Sequence, residues 1–88
     1  MELVFIVKRM ANGNCEMTAK MERPLESLDA VVEWNHRMGM VADEIDDLPH
    51  CTKQSYGKWV WSNSHELNRW LTYYHLRFSK DPRQDGHA

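Results

Sequence analysis

The chain has 88 residues, a formal net charge of −2, 42% hydrophobic and 27% charged side chains, and only 4 Gly and 3 Pro. A chain of this size builds a single core, and this composition excludes both disorder and a fibrous repeat. Cys15 and Cys51 are too few for a disulfide scaffold, and the apolar run Leu3 to Val7 is far shorter than the roughly 20 residues a membrane helix needs. Lys8 and Arg9 follow that run, the reverse of a secretory signal, so the reading is a cytoplasmic chain with no membrane segment. One α+β domain is expected over residues 1–80, with a flexible tail over 81–88.

Residues 2 to 22 read as a β-hairpin around Asn12-Gly13, a pair that tolerates the positive φ of a type I′ turn. A two-residue turn there pairs Arg9 with Glu16 and Val7 with Thr18. The first strand is apolar on both faces and the second alternates, which predicts a central first strand and an edge second strand. Residues 25 to 48 read as a helix, with Leu25, Leu28, Val31, Val32, Trp34, Met38, Val41, Ala42 and Ile45 on one arc. Gly39 weakens its middle, and Met40 falls on its polar side. Residues 50 to 55 read as a loop and Tyr56 to Trp61 as a third strand, with Trp59 and Trp61 on one face and burial favoured for both. A second helix opens at Ser62-Asn63-Ser64, where Asn63 and Glu66 have capping-box spacing, and ends before Pro82.

The predicted order is ββαβα: a three-stranded antiparallel sheet, order 2-1-3, with two helices on one face. On that reading Leu3, Phe5 and Val7 line the uncovered face, and the expectation is a homodimer that buries them.

No catalytic motif or cofactor fingerprint is present, so the chain reads as a non-enzyme without a cofactor. Neither a CxxC nor an HxxxH pair supports a metal site, and Cys51 lacks the positive surroundings of a reactive thiolate. Charge is unevenly spread. Asp43, Glu44, Asp46 and Asp47 crowd one helix end, whose dipole disfavours them, and form a candidate acidic docking patch. Trp34, Lys58, Arg69, Tyr73 and Arg77 form a candidate aromatic and basic surface.

The favoured function is a small non-catalytic interaction protein that binds a protein partner through the acidic helix or the exposed sheet face. Shortness, high Trp and Met content and the lack of a chemical motif resemble the small accessory proteins that bacteriophages make to block a host protein. That resemblance is one of composition, and it implies an inhibitor of a host enzyme or defence complex. The alternative is a single-stranded nucleic-acid-binding module using the basic-aromatic third strand and C-terminal helix.

Overall fold

The computed structural model describes residues 3–78, so the tail expected over 81–88 lies outside the described residues. In chain order the elements are β1 (Leu3–Arg9), β2 (Cys15–Met21), α1 (Leu28–Ile45), β3 (Cys51–Ser55), β4 (Lys58–Trp61) and α2 (Ser64–Phe78). The strands form one sheet in the order β1-β2-β4-β3, with every neighbouring pair antiparallel. The α+β class with two helices and an antiparallel sheet therefore holds. The expected three strands in order 2-1-3 do not. Each half of the chain folds as a hairpin followed by a helix, and β2 meets β4 at the centre.

Two features account for the difference. The loop expected over 50–55 contains β3, four of whose five residues are polar and exposed, so it carries no alternation to reveal it. Tyr56-Gly57 then turns the chain into β4, with Gly57 at φ +83°. The second feature is the position of β1. β1 lies at an edge and β2 inside, because β2 pairs with β4 on its other side; apolar residues on both faces of a strand do not by themselves make it central.

The hairpin register also differs from the two-residue turn. The Met10 N–H donates to the Asn14 carbonyl at 2.8 Å and the Gly13 N–H to the Met10 carbonyl at 3.0 Å. Gly13 alone in the loop has positive φ, at +91°. This is a three-residue connection, Ala11-Asn12-Gly13, in which the Asn12 side chain accepts from the Asn14 N–H at 3.0 Å. The extra residue moves each partner by one, so Arg9 faces Cys15 and Val7 faces Met17. Because side chains alternate with period two, that slip turns Leu3, Phe5 and Val7 to the covered face beside Met21, Ala19 and Met17.

α1 begins three residues later than the pattern suggests, because Ser27 is its N-cap and accepts from the Ala30 N–H at 3.1 Å. It runs unbroken through Gly39. Its buried residues are Ala30, Met38, Val41 and Ile45. Leu28 and Val32, expected on the core arc, stand 78% and 59% exposed. Both helices pack on the face that carries Cys15, Met17, Ala19, Met21, Trp59 and Trp61, all buried, and Leu67, Trp70 and Tyr74 of α2 complete the core.

Candidate interaction surfaces

The uncovered face of the sheet is built from the alternate residues of all four strands. One cross-strand row runs Lys8, Glu16, Val60, Thr52, and the next runs Ile6, Thr18, Lys58, Ser55, with Val4 beside Lys20 beyond them. Val4 and Ile6 are 40% and 51% exposed. The lysines outnumber the one acid in these rows, and Lys58 reaches Glu16 at 3.9 Å. The result is a small apolar strip along the β1 edge, flanked by lysines, with no helix of the described residues over it.

The self-association strip expected on this face is placed otherwise. Leu3 is buried, and Phe5 packs edge-on against Trp70 at 5.4 Å and Tyr74 at 5.1 Å between ring centroids. Val7 remains exposed, at the rim of the covered face.

The acidic end of α1 divides into two pairs. Glu44 accepts the Trp70 indole N–H at 2.9 Å and bonds the Arg77 guanidinium through the same oxygen. Asp46 caps the helix and accepts the Trp59 indole N–H at 2.9 Å. These two carboxylates supply acceptors for two of the buried tryptophans, Trp59 and Trp70. Asp43 and Asp47 are exposed. The dipole penalty at this helix end is thus offset for Glu44 and Asp46 by hydrogen bonds, and of the expected patch only Asp43 and Asp47 face solvent without such a tie to an indole.

The aromatic and basic set is not gathered in one place. Lys58 lies on the open face of the sheet, whereas Arg69, Tyr73 and Arg77 lie on α2 across the sheet from it. Arg77 is bound to Glu44 and stacks over Tyr73 at 4.2 Å from the ring centroid. Arg69 and Tyr73 line a groove of about 370 Å³ with Leu48, Trp61, Glu66 and Trp70. Trp34 packs against the core and against Tyr56, with ring centroids 6.1 Å apart. Arg69 and Tyr73 therefore share one face on α2, while Lys58 lies on the opposite side of the sheet and Arg77 is engaged by Glu44.

Ser62 Oγ lies 3.3 Å from His50 Nδ1, and His50 Nε2 lies 3.7 Å from Glu66. The order is that of a hydroxyl, a base and an orienting acid, but the second distance is beyond a hydrogen bond and His50 is half exposed. The N–H groups of His65 and Glu66 at the head of α2 are bound to Asn63 Oδ1, so they are not donors for an oxyanion. The trio ties the start of β3 to the head of α2, alongside the Ser62 N–H that donates to the His50 carbonyl at 2.9 Å. Burial, and secondarily the charge of Asp46, pushes the Cys51 thiol up to about 12. Among the described residues no group of three His, Cys, Asp or Glu side chains is placed to hold a metal ion, and no helix is long and apolar enough to cross a membrane.

Comparison with family models, with curated proteins and with solved structures finds no match to the chain. Sequence reasoning missed the structural roles of Glu44 and Asp46. The available signal was the number of tryptophans, whose indole N–H usually takes an acceptor once buried.

Proposed function

We propose that this protein works by binding a protein partner, without catalysis, and docks through the uncovered face of its sheet. The observation that carries the reading is the exposure of Val4 and Ile6 along the β1 edge, flanked by Lys8, Lys20 and Lys58, on a face that no helix of the described residues covers. A face of this kind fits a partner with an apolar patch beside carboxylates, by hydrophobic burial along β1 and charge complementarity at the lysines next to it. The acidic helix end takes second place as a docking surface, since Glu44 and Asp46 serve the fold. The narrower reading, an inhibitor of a host enzyme or defence complex, rests on composition and has no residue that carries it.

The test is affinity capture with the wild type and two charge variants, each checked for folding by circular dichroism. Thr18→Glu with Lys20→Glu alters the open face, and Asp43→Lys with Asp47→Lys alters the helix end. The expected result is a partner that the helix variant retains and the sheet variant loses. Retention by the sheet variant overturns the proposed surface. Salt-sensitive binding of a single-stranded oligonucleotide to the same face, with no protein captured, overturns the proposed partner class.

A further inference from the structure

We propose that two copies of this chain join through β1, antiparallel and edge to edge, with Ile6 facing Ile6 of the second copy on the two-fold axis. The inference rests on the outward backbone edge of β1, which adjoins the docking face at Val4, Ile6 and Lys8, and it stands without the proposed function.

The Ala19 N–H donates across to the Gly57 carbonyl at 2.8 Å, so the backbone groups of Ala19 point toward β4 and away from β1. Phe5 is the residue opposite Ala19, and its N–H and C=O therefore point outward from the sheet. The Met10 to Asn14 bond at the hairpin end gives the same phase. By alternation Leu3, Phe5, Val7 and Arg9 all present outward backbone groups, and among the described residues no strand pairs with them.

The sheet protects its two edges unequally. β3 has a register shift between Lys53 and Ser55 and polar residues along most of its length, devices that discourage pairing. β1 has neither a bulge nor a proline, and Val4, Ile6 and Val7 are all exposed along it. A long, regular, apolar edge is a ready template for pairing with another strand, and only Lys8 and Arg9 at one end of β1 oppose it.

The charge pattern selects a second copy in one orientation. Lys8 and Arg9 lie together at one end of β1, so a parallel neighbour would set like charges side by side. An antiparallel copy centred on Ile6 places Lys8 opposite Val4 and Arg9 opposite Leu3, and sets Phe5 opposite Val7. Every outward group of Leu3, Phe5, Val7 and Arg9 then has a partner, and no like charges face each other. The contact is isologous, so it closes at two copies and yields one continuous eight-stranded sheet.

Sedimentation equilibrium across the micromolar range tests the assembly, and the expected result is a doubling of mass. Val7→Pro removes an outward N–H without touching the β1–β2 ladder, so a folded monomer is expected. Ile6→Cys tests the register independently. Oxidised glutathione should convert it to a covalent dimer, because residues facing each other in a non-hydrogen-bonded pair have disulfide spacing, and Cys15 and Cys51 are buried. A wild type that stays monomeric, a folded Val7→Pro chain that stays dimeric, or a cross-link formed by Lys8→Cys in place of Ile6→Cys overturns the proposal.

Discussion

Glu44 accepts the indole N–H of Trp70 at 2.9 Å, which fastens the last turn of α1 to the middle of α2. Burial opposes the charge on Glu44, but hydrogen bonds from Arg77 and Trp70 together with the charge of Arg77 outweigh it, and the carboxyl titrates below its ordinary value. A carboxyl with a lower pKa folded than unfolded contributes fully above the unfolded value and loses that contribution as the pH falls toward the folded one. Chemical denaturation at stepped pH should show stability declining below about 4.5, and Glu44→Gln should flatten that decline. The same variant should cost about 1–3 kcal/mol at neutral pH. An identical pH profile in both proteins would rule out this linkage.

The two pairs of acids at that helix end should respond oppositely to charge reversal. Asp43→Lys with Asp47→Lys changes exposed side chains at a C-terminus where positive charge is favoured, so its effect should stay within about 0.5 kcal/mol. Glu44→Lys with Asp46→Lys strips the acceptors from Trp70 and Trp59 and should cost at least about 2 kcal/mol. Urea midpoints at constant slope measure both.

Alanine should have opposite signs at two glycines. At Gly57 the φ of +83° is strained for any side chain, while the nearest atoms, the Ala19 oxygen at 3.6 Å and Trp34 Cζ2 at 3.7 Å, leave ordinary contact distance. Gly57→Ala is therefore a conformational cost of about 1–2 kcal/mol. At Gly39, inside α1, a Cβ meets nothing within 4 Å, and Gly39→Ala should stabilise by about 0.5–1 kcal/mol. Thermal denaturation of the two variants gives both signs directly.

Cys51, buried and with its thiol pushed up to about 12, should resist a disulfide reagent at neutral pH while the chain is folded. Unfolding in guanidinium should release it together with Cys15. Fast native labelling at Cys51 would show that β3 opens readily at its first residue.

The alternation of β2 made its covered face legible, because Met17, Ala19 and Met21 interleave with Thr18 and Lys20 and only one face can be wet. Trp59 and Trp61 followed by the same rule, and both are buried. The faces of β1 were not legible. With apolar residues on both sides its register rested on the turn alone, and Asn12-Gly13 serves a three-residue loop as well as a two-residue one. β3 owes its existence to pairing with β4, a tertiary fact with no local pattern. The exposed Leu28 and Val32 show the limit of periodicity, which marks an apolar arc without saying how far along the helix the sheet reaches.

The seam between β2 and β4 governs how the chain finds this structure. β1 closes on β2 and β3 on β4 through short connections, whereas Met17 meets Trp59 and Cys15 meets Trp61 only after the whole of α1 has been spanned. Loop closure makes that late pairing the entropically expensive step. Two indoles lie in the seam itself, so a stopped-flow trace of tryptophan emission watches the slow event of refolding at the place where it happens.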